Sequence, residues 1–107
     1  MQFETDSTER PLDERTLKRL KANWKTLLEL ITLEGGLVAE LYAKKCITNL
    51  QRLSIEGAGD VVKMNTRLLH IMLRKSVSNF NCFIECLIET QQRHVAYILL
   101  KENAGKL

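Results

Sequence analysis

The sequence predicts an all-α domain, on three observations. Apolar residues recur at spacings of three and four along most of the chain, which lays them in one stripe per helix. Alternating apolar and polar runs, the mark of half-buried strands, are scarce outside those stripes. The single proline, Pro11, stands ahead of the first stripe and interrupts no helix.

Each element follows from its own pattern. Leu17, Leu20, Trp24, Leu27, Leu28 and Ile31 form the stripe of one long first helix, with Lys18, Lys21 and Lys25 off it. Gly35 and Gly36 interrupt the pattern. Leu37, Val38, Leu41 and Tyr42 restart it as a second helix that ends near Lys44 and Lys45, where cations suit the carbonyl end of the helix dipole. A short element follows over residues 48–53 with Thr48 as its N-cap. The segment EGAGD is the one clear loop, and Asp60 caps the fourth helix after it. That helix is expected to bury Val61 or Val62, Met64, Leu68, Leu69, Met72 and Leu73, while Lys63, Arg67 and Arg74 project away. Ser78 reads as the N-cap of a fifth helix with Phe80, Phe83, Ile84, Leu87 and Ile88 inside and Asn81, Glu85 and Glu89 in solvent. After a break at Gln91 and Gln92, a last helix carries Val95, Ile98 and Leu99.

Composition narrows the function classes. The chain has 107 residues, the size of one domain, and its 45% hydrophobic content is too high for a disordered segment. No apolar run approaches the roughly 20 residues that cross a bilayer, and residues 1–10 are acidic and polar where a secretory signal would be basic and then apolar. A soluble, cytoplasmic domain is expected. The division is a flexible acidic segment over 1–14, a helical bundle over 15–102 and a tail over 103–107. Three cysteines without framework spacing agree with free thiols in a reducing compartment. A net charge of +3 permits an acidic protein partner without demanding nucleic acid.

Candidates for chemistry each have a plainer explanation. Cys82 and Cys86, four apart on a helix, with His94 as a third donor, fall short of the four ligands of a structural zinc site, and Cys46 and His70 lack paired spacing. Packing as small buried hydrophobes accounts for the cysteines. No strained turn or glycine-bearing oxyanion loop accompanies any thiol, so a cysteine nucleophile is not expected either. Glu85 and Glu89, one turn apart, read as a solvated face. No catalytic residue, cofactor or metal is therefore expected. The basic residues of the first and fourth helices remain as the functional signal. They lack the interleaved aromatics of a nucleic-acid surface and suit a protein with an acidic patch.

Several stretches in order, NWKTLLELI, LYAKKCIT, TRLLHIMLRKS and FNCFIECLIETQQRHVAYILL, resemble a caspase recruitment domain (CARD), and among these most the prodomains of initiator caspases. The family pattern Phe-x-x-x-Leu-x-x-Thr-Gly-Gln-x-x-Leu-Ala is met by Phe83, Leu87, Thr90, Gln92, Val95 and Ala96. The resemblance spans roughly Leu17 to Leu100. Two glycines of the pattern are replaced, by Ser76 and Gln91. Where the family places an arginine three residues before the leucine matched by Leu27, this chain has Trp24.

The resemblance implies a six-helix antiparallel bundle of the death-fold type. It also implies a homotypic CARD–CARD interaction module without catalytic activity, which recruits an initiator caspase or adaptor into an apoptotic or inflammatory assembly. Lys63 and Arg67 match the family's basic pair on the fourth helix, and Lys21 and Lys25 flank the place of the missing arginine. The implied partner is another CARD with an acidic surface, in a homo- or hetero-oligomer. The opposite, acidic side is represented by Glu34, Glu40 and Asp60, diluted by Lys44, Lys45 and Arg52. A CARD-only protein that blocks such an assembly is the alternative, and a small metal- or nucleic-acid-binding helical domain is a third reading.

Overall fold

Asp13 starts the first helix, its side-chain carboxylate accepting from the Thr16 backbone N–H at 2.8 Å. This computed structural model describes residues 10–100 and contains seven helices there. In order they are α1 (Glu14–Ala22), α2 (Trp24–Leu30), α3 (Leu37–Ala43), α4 (Asn49–Glu56), α5 (Val61–Leu73), α6 (Val77–Glu89) and α7 (Arg93–Leu100). No strand occurs among the described residues, only an isolated antiparallel bridge between Pro11 and Ser76.

The expected long first helix is two helices. At Asn23 the backbone leaves helical geometry (φ −106°, ψ 15°), and the Asn23 side-chain amide donates to the Arg19 carbonyl at 2.9 Å. An asparagine that bonds its own preceding turn offers the chain an alternative to continuing the helix. The stripe survives the break: Leu20, Leu27 and Ile31 are buried on both sides of it. Taken as the two halves of one broken element, α1 and α2 leave the six elements of the expected bundle. The break has a packing consequence, because α1 meets α7 while α2 meets α5. Arg19 Nη1 donates to the Leu99 carbonyl at 2.7 Å across the first of these contacts.

The other elements meet pairwise, α3 on α4 and α6, α4 on α5, α6 on α7. Between them lies one apolar core in which Leu20, Leu27, Leu41, Leu68, Leu69, Phe83, Leu87 and Val95 are wholly buried. Each such side chain contributes about 1.5–3 kcal/mol by leaving water. The caps expected at Thr48 and Asp60 are present. Thr48 forms a full capping box with Gln51, and α4 runs three residues beyond the expected end.

Four further expectations are corrected. Ser76, not Ser78, caps α6, its hydroxyl accepting from the Asn79 N–H at 3.3 Å. Val61 and Val62 are each 56% exposed. They occupy the first turn of α5, and the stripe is completed instead by Asn65, which is wholly buried. Tyr42 is 43% exposed, its ring lying under the Arg52 guanidinium at 5.0 Å. Finally, the three thiols are not all free. Lys45 adopts a left-handed backbone (φ 62°) and the Cys46 N–H bonds back to the Leu41 carbonyl at 2.8 Å, turning Cys46 inward to form a disulfide with Cys82 of α6. Cys86 is the free, buried thiol among the described residues.

The acidic segment expected over 1–14 falls mostly outside the described residues, as does the tail over 103–107. Of the part inside, Leu12 is buried in the core, and the Arg10 carbonyl accepts from the Val77 N–H at 2.8 Å. The chain is thus tied to the start of α6 before α1 begins.

Two buried amides hold the interhelix connections. Asn65 Nδ2 donates to the carbonyls of Leu28 and Ile31, both at 3.0 Å, satisfying the C-terminal end of α2. Gln92 donates to the Thr32 carbonyl and accepts from the Thr32 N–H, both at 2.8 Å, clamping the α2–α3 connection to the α6–α7 turn. The two replaced glycines behave differently. Ser76 has ordinary extended geometry (φ −77°), whereas Gln91 takes the left-handed conformation (φ 67°) that a glycine adopts without steric cost.

Candidate protein-interaction surface

The residues of α5 that face away from the core set the character of this surface. Lys63, Arg67, His70 and Arg74 follow one another at intervals of four, three and four, and all are exposed. Such spacing places them along one face of a helix. Lys63 and Arg74 have no ion-pair partner among the described residues. Arg67 is held in place: its Nη1 donates to the Ser54 carbonyl at 2.9 Å and to the Ser54 hydroxyl at 3.2 Å. A cation at the last turn of α4 also suits the negative end of that helix dipole. Arg67 therefore has a structural duty as well as a charge to present.

Trp24 joins this face to the first element. It opens α2, is partly buried against the core, and its indole lies 5.1 Å from the His70 ring, centroid to centroid. The apolar-stripe reading of Trp24 and its place beside the cationic face both hold, because one ring serves α2–α5 packing from the side of α5 that carries Lys63 and Arg67. Lys25 follows it on α2. Lys21 lies on α1, beyond the break at Asn23, so the two lysines expected to act together are carried by different helices. Both are exposed.

The three acidic residues named from the sequence do not form one group. Asp60 accepts from the Lys63 backbone N–H at 2.8 Å, so its carboxylate caps the helix that bears the cationic face. Glu34 lines a cleft between the α2–α3 connection and the start of α5, together with Glu29, Leu33, Val61 and Met64. Glu40 lies toward α6, beside the ion pair of Lys44 with Glu89 (2.9 Å). Within that pair the hydrogen bond from Lys44 holds the Glu89 carboxyl below its ordinary value and raises the Lys44 ammonium above its own.

His70, Arg74 and Glu29 join these surfaces without having been singled out as site residues. The first two are legible in the four-three-four spacing with Lys63 and Arg67. Glu29 carries no signal of its own, since only the return of the chain after α2 brings it to the α5 start. Among the described residues no helix is long and apolar enough to cross a membrane.

The family model of the caspase recruitment domain matches residues 17–102. Neither the curated proteins nor the solved structures yield a match.

Proposed function

The chain belongs to the caspase recruitment domain family, whose members are homotypic interaction modules, generally non-catalytic, and from that premise we propose that it is the basic partner in a CARD–CARD contact. In this reading it recruits an initiator caspase or adaptor into an apoptotic or inflammatory assembly in the cytoplasm, as part of a homo- or hetero-oligomer. The observation that supports it is the cationic face of α5, with Lys63 and Arg74 unpaired among the described residues and Arg67 tethered in register between them. Lys21 and Lys25 extend the positive charge onto the first element, and an acidic CARD surface is its complement. Glu34, Glu40 and Asp60, scattered over three settings, fit a weaker second contact.

The test is binding to an acidic CARD by a Lys63→Glu, Arg67→Glu double variant. Reversal sets like charges against each other and leaves the partner's carboxylates unpaired, so binding is expected to be abolished. In the unaltered protein it should weaken as salt rises. Because Arg67 also holds Ser54, Lys63→Glu alone and Arg67→Ala alone separate the two roles. The first should impair binding at unchanged Tm. The second should lower Tm. Full binding by the folded double variant overturns the assignment.

A further inference from the structure

We propose that, once reduced, Cys46, Cys82 and Cys86 form a three-thiolate site for a single divalent thiophilic metal ion of the zinc type. Two elements far apart in sequence converge to make it. Cys46 comes from the connection between α3 and α4, and Cys82 and Cys86 stand one turn apart on α6. The three sulfur atoms all lie within 4.8 Å of one another, with Cys46 and Cys86 buried and Cys82 half-buried. Three sulfurs at that separation can be drawn onto one ion by small side-chain movements, since zinc–sulfur bonds are about 2.3 Å long. Spacing along the chain suggests only Cys82 and Cys86 with His94 as donors. Folding puts His94 on the exposed side of α7 and supplies Cys46 instead.

The disulfide and the metal exclude each other. With Cys46 and Cys82 bonded, Cys86 alone is a thiol, and its burial pushes its pKa up to about 11. A dithiol reductant changes this: it delivers two electrons to the Cys46–Cys82 bond, that bond breaks, two thiols form, and the dithiol becomes a disulfide. Binding then displaces the three thiol protons to solvent as the ion takes three thiolates, because a coordinating thiol is deprotonated outright. A dication bound this way leaves a net charge of −1, and a monovalent ion leaves −2. Two of the three sulfurs are buried, and burial favours the smaller net charge and so the divalent ion. The fourth position of the tetrahedron is left to water.

The experiment compares the whole chain oxidised and after reduction with a phosphine and anaerobic desalting. Zinc is titrated in competition with a chromophoric chelator, and cadmium is followed by its thiolate charge-transfer absorption. One zinc per reduced chain, none in the oxidised chain, a Tm that rises to saturation at one equivalent, and loss of uptake in Cys82→Ser and Cys86→Ala establish the site. Cys82 is half-buried, so Cys82→Ser carries the test should Cys86→Ala fail to fold. No uptake by the reduced chain, equal uptake by the oxidised chain, or undiminished uptake in a folded variant overturns the site. Uptake of Cu(I) but not zinc overturns the divalent assignment.

Discussion

Trp24 of α2 and His70 of α5 lie ring against ring, 5.1 Å apart and inclined at 43°. The contact fixes the second half of the broken first element to the helix face that carries Lys63 and Arg67. Truncating Trp24 to alanine removes both the α2–α5 contact and part of the core packing. Since the ring is only partly buried, the loss should be about 1–3 kcal/mol, below the ~3–5 kcal/mol of a fully buried aromatic. Chemical denaturation of Trp24→Ala and Trp24→Phe checks this, with phenylalanine expected to retain most of the stability. As the only tryptophan of the chain, Trp24 should also show blue-shifted emission in the native state that moves red on unfolding.

Asn65 is wholly buried, and its amide serves the carbonyls of Leu28 and Ile31. Asn65→Leu keeps the branched outline of the side chain but is larger and more hydrophobic, and it leaves two helix-end acceptors without their donor. A loss of about 1–3 kcal/mol is expected, because an unsatisfied buried acceptor costs its full desolvation. Equal or higher stability of the leucine variant would show that removing the buried Asn65 Oδ1, which has no hydrogen-bond partner among the described residues, outweighs the loss of the two bonds.

Gln91 sits in the left-handed region at the end of α6, where the family pattern has glycine. A non-glycine residue there costs roughly 1–2 kcal/mol, offset in part by the greater chain entropy a glycine loses on folding. Gln91→Gly should therefore stabilise the domain by about 0.5–1 kcal/mol, read as an increase in Tm. The same replacement at Ser76 should destabilise it, because Ser76 has no left-handed backbone to relieve and its hydroxyl caps α6.

The Cys46–Cys82 bond closes a loop of 36 residues. On chain-entropy grounds a loop of that length is worth about 2–4 kcal/mol. Reduction under metal-free conditions should lower Tm accordingly. Cys46→Ser should reproduce the loss and show no further change on adding reductant, whereas a response to reductant in that variant would mean another pairing had formed.

Spacing along the chain was enough to locate the helical segments and most of their inward faces, though not the break at Asn23 or the exposure of Val61, Val62 and Tyr42. Leu20, Leu27, Leu41, Leu68, Phe83 and Leu87 are buried as their spacing requires, since the three-and-four rule concerns neighbours on a single turn. Thr48 and Asp60 cap the helices they precede for the same local reason. The four-three-four run of Lys63, Arg67, His70 and Arg74 was equally open to view. Features that depend on residues distant in sequence came from packing across the core. That packing buried Asn65 and Gln92 because the ends of other elements needed their amides, and it paired Cys46 with Cys82 because the turn at Lys45 faces α6. It divided the basic residues of the first element at Asn23, leaving Lys21 on α1 and Lys25 on α2, and it scattered Glu34, Glu40 and Asp60. Periodicity assigns a residue to a face of its own helix. Which faces then meet is set by packing across the whole core, where contacts span tens of residues and leave no local trace.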